Sequence, residues 1–353
     1  MNAEFWSGKN VLVTGHTGFK GSWLCLMLEM AGARVSGYAL APPTEPSLFE
    51  IAKIDESLIC NYIADVRDAD RLRDVVQESE PEIIFHLAAQ SLVRYSYDHP
   101  LETFDVNVMG TAKLLEVARG CSSVQTIINI TTDKCYENRE WEWAYREDEP
   151  LGGRDPYSAS KACAEIVTAA YRNSFLAKSG KGLATARAGN VIGGGDWATD
   201  RLLPDFFRAM ECDEVLKVRS PDAVRPWQHV LEPLSGYIRL AELTHHDAEN
   251  FSSAWNFGPS DDDARSVSWI LNHLSADMEG AVWEIEDGEK VHEAQYLKLD
   301  SSRARQHLGW APRWNLPTAL EMTAAWMEQW RAGNDMRQVC IDQIQQYLAE
   351  NGS

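Results

Sequence analysis

The sequence predicts an α/β fold in which a doubly wound parallel sheet is followed by a smaller mixed α/β lobe in the C-terminal part. Short runs rich in β-branched residues alternate with longer helical patterns through about the first 190 residues, which is typical of βαβ units. After that point the elements become mixed in type and spacing. A chain of 353 residues suits two domains, or one large domain with an added lobe.

The elements of the first part follow one another in a regular order. Strands are predicted at residues 10–15, 34–40, 58–66, 82–89, 124–130 and 182–191. Helices are predicted at residues 19–33, 68–79, 107–120 and 156–176. Because strands joined by helices of this length lie parallel, we expect helices on both faces of the sheet.

The domain organisation follows from where this regularity ends. We expect a first domain at residues 1–190, and a further helical pattern within 231–250 returns to it. Residues 191–353 then form mainly the smaller lobe, which we place over the carboxyl edge of the sheet. The acidic, aromatic-rich segment 137–150 is predicted to be an exposed loop beside that edge.

Composition and charge exclude several classes of partner. The net charge of −20 argues against binding to nucleic acid or to an anionic membrane, because both need clustered positive charge. The seven cysteines are dispersed without paired metal-ligand spacing, so we expect reduced thiols and no metal site. No apolar run is long enough to span a bilayer, and the N-terminus lacks the apolar block of a signal peptide. We therefore expect a cytoplasmic protein.

A glycine-rich loop, GHTGFKG at 15–21, lies between the first predicted strand and the first predicted helix. In Rossmann-type domains this is where the pyrophosphate of a dinucleotide meets a helix N-terminus. Gly15 permits the tight turn, Gly18 lets the backbone approach phosphate, and Gly21 lets the helix pack closely. Lys20 faces either phosphate or solvent. A glycine turn with a purely structural role is the alternative.

The choice between NAD and NADP is left open by the second strand. Ala39 stands where an acidic residue usually binds the adenosine ribose, although no arginine is present there to bind a 2′-phosphate. Asp65 follows the third strand and is a candidate to receive the adenine amino group. Its alternative role is to cap the helix that follows.

Two further stretches carry side chains suited to proton transfer. Tyr157 and Lys161 are four residues apart on a predicted helix and hence lie on one face. A nearby ammonium favours the phenolate and lowers the pKa of a tyrosine. Thr132, Asp133 and Lys134 stand at the tip of the strand predicted over 124–130, where an arbitrary Asp-Lys pair is usually a solvated turn.

Together these stretches resemble the extended short-chain dehydrogenase/reductase family of nucleotide-sugar enzymes. The resemblance extends through GHTGFKG, ADVRD (64–68), HLAAQ (86–90), NVMGT (107–111), TTDKCYE, YSASK, RAGNVIG (187–193) and VRPWQHV (224–230). The Thr-Asp-Lys stretch, with GGGDWATDRLLPD (193–205) and RPWQHV, is similar to the CDP-glucose 4,6-dehydratase branch. The resemblance implies NAD as the cofactor and CDP-glucose as the substrate.

The resemblance also implies an internal redox cycle. Hydride leaves C4 of the glucosyl ring, water is eliminated across C5 and C6, and hydride returns to C6. Tyr157 accepts the proton of the C4 hydroxyl while Lys161 holds the phenolate, and Thr132 hydrogen-bonds the reacting oxygen. Lys134 is the candidate base at C5, and Asp133 is the candidate acid at the C6 hydroxyl. Both roles require a dry pocket, because Lys134 must be neutral and Asp133 protonated.

Binding residues follow from the same motifs. The predicted cofactor-binding residues are Gly15, Thr17, Gly18, Phe19, Lys20, Gly21, Asp65, Val66, Leu87, Ala88 and Ala89, with Tyr157 and Lys161. Asn190 and Arg225 match positions that contact the substrate diphosphate; a loop-capping asparagine and a surface ion pair are the alternatives. Asp196 and Arg201 are candidates for a cytidine pocket. The resemblance further implies a homodimer or higher homo-oligomer formed through helices near 94–120 and 157–177.

Other functions remain as alternatives to CDP-glucose dehydration. The chain is then another nucleotide-sugar 4,6-dehydratase, or an epimerase or reductase that uses Tyr157 and Lys161 without elimination. A regulator that binds NAD(P) without catalysis is a third alternative. The epimerase has no use for Asp133 and Lys134, and the regulator has no use for these residues or for the Tyr157/Lys161 pair.

Overall fold

The computed structural model describes residues 1–278, 282–286 and 296–350. Its strands are β1 Asn10–Thr14, β2 Arg34–Ala39, β3 Cys60–Ile63, β4 Ile83–His86, β5 Thr126–Ile130, β6 Gly182–Ala188, β7 Val191–Ile192, β8 Leu216–Val218, β9 Val224–Pro226, β10 Gln228–His229, β11 Ala254–Phe257, β12 Ala264–Ser266 and β13 Trp283–Ile285.

The α-helices are α1 Ala3–Trp6, α2 Phe19–Met30, α3 Leu48–Ile51, α4 Ala69–Ser79, α5 Val93–Asp98, α6 Pro100–Phe104, α7 Gly110–Gly120, α8 Pro156–Tyr171, α9 Leu202–Glu211, α10 Leu231–His246, α11 Ala248–Phe251, α12 Val267–Asp277, α13 Leu316–Arg331 and α14 Met336–Ala349. Short 3₁₀ turns cover Ile54–Ser57, Asp133–Cys135, Ala177–Ser179 and Asp261–Asp263, and π-helical turns cover Asp105–Met109, Arg172–Leu176 and Ala304–Leu308. None of the helices in the described ranges is both long and apolar enough to cross a membrane.

Within the described ranges, seven parallel strands form the main sheet in the order β11-β6-β5-β4-β1-β2-β3. The chain first builds outward from β1 through β2 to β3, and then returns to pair β4 on the other side of β1. This reversal opens a crevice at the carboxyl ends of β1 and β4, where open α/β sheets bind ligands. The predicted doubly wound α/β fold is confirmed.

Both faces of the sheet are buried, as the apolar strands require. Val11 and Val13 of β1 belong to one hydrophobic cluster, whereas Leu12 between them belongs to a second cluster. Successive side chains of a strand point to opposite faces, so β1 anchors both layers. Helix α2 packs in the first cluster through Trp23, and α4 packs in the second through Leu72.

The later part of the chain is divided between the sheet and the region above it. Helix α10 packs on β5 and β6, and β11 adds a parallel strand beside β6. Helix α14 packs on α2, where Arg337 donates to both carboxylate oxygens of Glu29 at 2.6 Å. The pairs β7–β10, β9–β12 and β8–β13 form separate two-stranded sheets. The domain boundary near residue 190 stays a prediction.

Candidate active site

A cleft of about 1520 Å³ opens at the carboxyl edge of the sheet. All of the predicted site residues line it: Gly15, Thr17, Gly18, Phe19, Lys20, Gly21, Asp65, Val66, Leu87, Ala88, Ala89, Thr132, Asp133, Lys134, Tyr157, Lys161, Asn190, Asp196, Arg201 and Arg225. The carboxyl ends of parallel strands meet at one edge, so residues distant in the chain come together there. No group of three or more His, Cys, Asp or Glu side chains within the described ranges is placed to hold a metal.

Two positions of the glycine turn require glycine, and the helix that follows the turn has an uncapped N-terminus. Gly15 has φ of +76°, and a Cβ at Gly21 would lie 2.1 Å from the carbonyl oxygen of Gly15. Gly18 is the N-cap of α2 and provides no side-chain cap hydrogen bond. The first N–H groups of this 12-residue helix are therefore available to an anion at its positive end. The turn fits the pyrophosphate of a dinucleotide.

Ala39 and Asp65 line the part of the cleft where the adenosine is predicted to bind. Ala39 ends β2 and lines the cleft without a charge. Hydrogen bonds from Arg67 hold the pKa of Asp65 below its usual value, against the effect of burial. The cap of α4 is Asp68, whose carboxylate accepts from the backbone N–H of Arg71 at 3.0 Å. The helix-cap alternative for Asp65 is therefore wrong.

Arg67 is a cleft residue that the sequence analysis did not select. Its guanidinium donates to Asp65 and lies 3.8 Å from the Glu102 carboxylate and 3.7 Å from that of Asp105. Carboxylates therefore already surround this cation at the adenosine end. The position of Arg67 next to Asp65 in ADVRD was the only signal for it in the sequence. Its other acidic neighbours, Glu102 and Asp105, come from separate elements, so the sequence does not show that they lie close to it.

Asp133, just after the end of β5, is a buried carboxylic acid. The Thr132 hydroxyl donates to Oδ1 of Asp133 at 2.9 Å. Oδ2 of Asp133 has no hydrogen-bond partner among the described residues, and the side chain is 2% exposed. Burial raises the pKa of Asp133, although the charge of Lys134 opposes this shift. The direction of this shift agrees with the raised pKa that a general acid needs, and the role of Asp133 as that acid stays a prediction.

Lys134 is half-buried and lines the cleft next to Asp133. Among the ion pairs of the described residues, none joins Lys134 to Asp133. The backbone N–H of Lys134 donates to the Thr132 hydroxyl at 3.4 Å, which fixes the turn that carries all three residues. The solvated-turn alternative is wrong for Asp133, and the role of Lys134 as a base stays a prediction.

Helix α8 carries Tyr157 and Lys161 into the cleft. Asp155 caps this helix, and its carboxylate accepts from the N–H of Ser158 at 2.9 Å. Burial raises the pKa of Tyr157 to about 12; a hydrogen-bonding interaction with Thr132 and the charge of Arg201 oppose this shift. The sequence analysis had expected the charge of Lys161 to lower the pKa of Tyr157, and Lys161 is not among the groups that do so.

The Lys161 ammonium is directed at the end of β5. It donates to the backbone carbonyl of Ile130 at 3.4 Å. Burial lowers the pKa of Lys161 to about 8, and the charge of Glu165 opposes this shift. Lys161 thus joins α8 to the end of β5, two residues before Thr132.

Lys20 extends from the glycine turn toward the centre of the cleft. Burial lowers the pKa of Lys20 to about 8, and the charges of Arg201 and Lys161 act in the same direction. The carboxylates of Asp133 and Asp196 oppose this shift. Lys20 is half-buried and lines the cleft, within range of the charges of these four residues.

The four predicted substrate-binding residues all line the cleft. Arg201 donates to the Asp196 carboxylate at 2.8 Å. Arg225 lies in β9, is 4% exposed, and its charge opposes the rise that burial causes in the pKa of Asp133. Arg225 is therefore a buried residue and not a surface residue. The backbone carbonyl of Asn190 accepts from the N–H of Gln228 at 3.0 Å, which joins the ends of β7 and β10.

A buried ion pair that the sequence analysis missed lies beneath the cleft. Arg187 of β6 donates to Glu165 of α8 from Nε at 2.9 Å and from Nη2 at 2.8 Å. Glu165 also accepts from the hydroxyls of Thr131 and Thr185. Burial opposes ionisation, but Arg187 and these donors hold the pKa of Glu165 below its usual value. The pair joins α8 to β5 and β6.

Replacing Glu165 by Gln is expected to destabilise the fold by about 3–5 kcal/mol, because it leaves the Arg187 charge buried without its partner. Chemical unfolding followed by tryptophan fluorescence measures this loss. Asp70→Asn is the control, because its ion pair with Arg73 is exposed and contributes little. Equal unfolding free energies for the two variants would contradict a structural role for the buried pair.

Comparison with known proteins identifies the family of the chain. A family profile described as GDP-mannose 4,6 dehydratase matches residues 12–323. The chain belongs to this dehydratase family. A CDP-glucose 4,6-dehydratase from Salmonella typhimurium strain LT2 is 50% identical over 355 residues, which cover 99% of each chain. A dTDP-glucose 4,6-dehydratase from Streptomyces griseus is 30% identical over 269 residues, which cover 76% of this chain and 77% of that relative.

A solved structure supports the fold of this family member. The dTDP-glucose 4,6-dehydratase from Bacillus anthracis, in complex with NAD, superposes with a TM-score of 0.76 at 20% identity. The match covers 91% of this chain and 97% of the other. At this identity the likeness establishes the shared architecture, and the chemistry has to be argued from the side chains of the cleft.

Proposed function

We propose that the chain is an NAD-dependent hydro-lyase that converts CDP-D-glucose to CDP-4-keto-6-deoxy-D-glucose. The observation that carries this proposal is the buried acid Asp133, next to Lys134 and in the same cleft as Tyr157 and Lys161. An epimerase or a reductase does not need this additional acid and base. The relative that is 50% identical over nearly the whole chain is a CDP-glucose 4,6-dehydratase, which supports the same substrate.

The first part of the reaction is oxidation at C4. Bound NAD supplies reversible hydride storage. Tyr157 takes the proton of the C4 hydroxyl, and Thr132 hydrogen-bonds the same oxygen. Lys161 donates to the Ile130 carbonyl, so its positive charge is held at the end of β5, two residues before Thr132. The ketone formed at C4 makes the hydrogen at C5 acidic.

Elimination of water across C5 and C6 then requires a base and an acid. Lys134 removes the C5 proton, and Asp133 protonates the departing C6 hydroxyl. Asp133 suits this task because burial raises its pKa and leaves Oδ2 without a hydrogen-bond partner among the described residues. After hydride has been returned to C6, Lys134 gives its proton back to C5.

The residues of the cleft fit NAD better than NADP. The uncapped N-terminus of α2 suits the pyrophosphate, and Asp65 lies at the adenosine end. Arg67, a cation in that region, is already surrounded by Asp65 and two other carboxylates. A 2′-phosphate would meet this negative charge, and Ala39 offers no compensating group.

The substrate diphosphate and cytidine are assigned to the lobe side of the cleft. Arg225 is buried close enough to Asp133 to affect its pKa, so a diphosphate bound there lies next to the reacting hexose. Asn190 lines the same region, and the Arg201–Asp196 pair borders it. We propose that these residues bind the nucleotide part of the substrate.

Incubation of the enzyme with CDP-, dTDP-, GDP- and UDP-glucose tests the proposal. CDP-glucose is expected to give a base-sensitive 4-keto chromophore without net formation of NADH. The other three nucleotides should react more slowly under the same conditions. Equal or faster reaction with another nucleotide would contradict the assignment to CDP, and stoichiometric consumption of NAD(P)H would indicate a reductase.

The pH dependence of kcat is expected to reflect Lys161. Its charged form is needed, and its pKa is lowered to about 8, so activity falls as the pH rises through that value. Lys161→Arg keeps the charge to much higher pH and should move this alkaline limb upward by more than about one pH unit, even if kcat falls. Lys178→Arg, on the exposed surface, is the control. If kcat of Lys161→Arg falls at the same pH as that of the unmodified enzyme, the group that titrates there is not Lys161.

We further propose a cytoplasmic homodimer. Large apolar side chains are exposed on neighbouring elements: Leu101 is 85% exposed, Met109 48%, Ile166 58% and Phe175 44%. Their elements α6, α8 and the adjoining π-helical turns lie next to one another, which suits a helical interface. Light scattering should give twice the chain mass, and Leu101→Asp with Ile166→Asp should give the monomer. A monomeric unmodified protein would contradict the proposal.

A further inference from the structure

His86 is a buried histidine to which the proposed reaction assigns no role. It ends β4, is 2% exposed and is not among the residues that line the cleft. Its Nδ1 lies 2.8 Å from the hydroxyl of Thr14, the last residue of β1. Its Nε2 lies 3.2 Å from the hydroxyl of Thr111 in α7. One imidazole ring therefore joins two adjacent strand ends to a helix that packs on the sheet.

The hydrogen bonds around His86 allow one arrangement of hydrogens. The Thr111 hydroxyl has a single hydrogen, which it donates to the Asn107 carbonyl at 2.7 Å. Nε2 of His86 must therefore carry the hydrogen that is donated to Thr111. Burial, together with the charge of Lys161, lowers the pKa of His86 to about 3. The ring is therefore neutral, and its Nδ1 accepts from the hydroxyl of Thr14.

On the strand side, this arrangement fixes the backbone of the predicted cofactor site. The Thr14 hydroxyl also accepts from the N–H of Ala88 at 3.2 Å, and the Thr14 carbonyl accepts from the N–H of Leu87 at 3.1 Å. A Cβ at Gly15 would lie 2.8 Å from the nitrogen of Ala88, so these backbones are in close contact. Gly15, Leu87 and Ala88 line the cleft, and His86 acts on them through Thr14.

On the helix side, the hydrogen bonds continue to the helix that carries Tyr157. Nδ2 of Asn107 donates to the Gln90 carbonyl at 2.9 Å and to the Ser160 hydroxyl at 2.8 Å. The Ser160 hydroxyl donates to the carbonyl of Tyr157 at 2.7 Å. All the residues that connect His86 to the two sides are buried. Together they form what we call the His86 series: Thr14, His86, Thr111, Asn107 and Ser160.

We propose that His86 is a positioning residue that holds the NAD-binding edge of the sheet at a fixed place relative to α8. The edge carries the cofactor, and α8 carries Tyr157, so their separation sets how the nicotinamide approaches the sugar. His86 does not line the cleft and acts only through Thr14 and Thr111. The effect on NAD binding does not depend on which sugar is the substrate, whereas the effect on hydride transfer rests on the proposed function.

Thr111→Val in the full chain tests the proposal, because it removes the acceptor of His86 Nε2 and leaves the pairing of β1 with β4 in place. Calorimetric titration with NAD should give a Kd raised by about 3- to 10-fold, the size of one lost hydrogen bond. Thr111→Ser keeps the hydroxyl and should keep the unmodified Kd.

Thr168→Val is the matched control. The Thr168 hydroxyl donates to the Ala164 carbonyl at 2.7 Å and accepts from Asn129 at 2.8 Å, so it makes the same kinds of hydrogen bond as Thr111 but lies outside the His86 series. This variant should lose stability without losing affinity for NAD. An equal rise in Kd in Thr168→Val and Thr111→Val would overturn the proposal, because the effect would then be a general loss of packing.

Ser160→Ala shows whether the His86 series acts as one unit. Alone, it should raise the Kd for NAD, although Ser160 lies on α8 and not at the edge of the sheet. Combined with Thr111→Val, it should raise Kd no further than the larger of the two single changes, because both interrupt the same series. Losses that multiply, or an unchanged Kd in either single variant, would overturn the proposal.

The NAD titrations keep this proposal separate from the proposed function. If Thr111→Val does not fold, the Kd of Ser160→Ala decides alone: a raised value supports the positioning role and an unchanged value overturns it. Absence of a 4-keto product from the unmodified enzyme with every nucleotide would overturn the proposed function. The affinities for NAD would still decide the role of His86.

Discussion

Tyr157→Phe is expected to lower kcat by about 10²–10⁴-fold, because it removes the group that accepts the C4 hydroxyl proton. The ring remains buried in α8, so the variant keeps its fold while losing only the hydroxyl that interacts with Thr132. Rapid mixing with CDP-glucose should show little reduced cofactor on the enzyme. The loss therefore appears at the first hydride transfer, before elimination.

Tyr171→Phe is the matched control for this substitution. Tyr171 lies on the same helix, but it is only partly buried and its hydroxyl donates to the exposed Glu116 at 3.3 Å. This control should keep kcat within experimental error. Normal formation of reduced cofactor by Tyr157→Phe would remove Tyr157 from the assigned role, and a shared loss in both variants would indicate damage to α8.

Much of the fold is readable from the sequence because the parallel sheet is built from local signals. Each of the strands β1 to β6 was predicted near its observed position, most of them from short runs that alternate with helical patterns. Strand β11 was missed, because Ala254–Phe257 is a four-residue run outside that alternation. Its place is set by pairing with β6 across a gap of more than sixty residues, which periodicity does not encode.

The composition of the cleft was predictable for a similar reason, whereas its electrostatics were not. Residues at strand ends and at the start of α2 share one edge of the sheet, so motif positions were sufficient to collect them. Charge interactions depend on distances between elements. The sequence therefore did not reveal that Arg187 would pair with Glu165, or that Lys161 would point to the Ile130 carbonyl.

Lys134→Ala is expected to separate oxidation from elimination. Tyr157, Lys161 and Thr132 are unchanged, so C4 oxidation should continue slowly and reduced cofactor should accumulate on the enzyme. Removal of the C5 proton should fall by about 10²–10⁴-fold, because its base is missing. Incubation in deuterated water, followed by mass spectrometry of the sugar nucleotide, measures exchange at C5 directly.

Lys134→Arg distinguishes a base from a positive charge at this position. Arginine keeps the charge that opposes the raised pKa of Asp133, but it does not lose its proton near neutral pH. If Lys134 is the base, both variants should lose exchange at C5. If its charge alone matters, arginine should restore exchange and alanine should not. Exchange at the unmodified rate in the alanine variant would exclude Lys134 from both roles, and the base would have to be sought among the other residues that line the cleft.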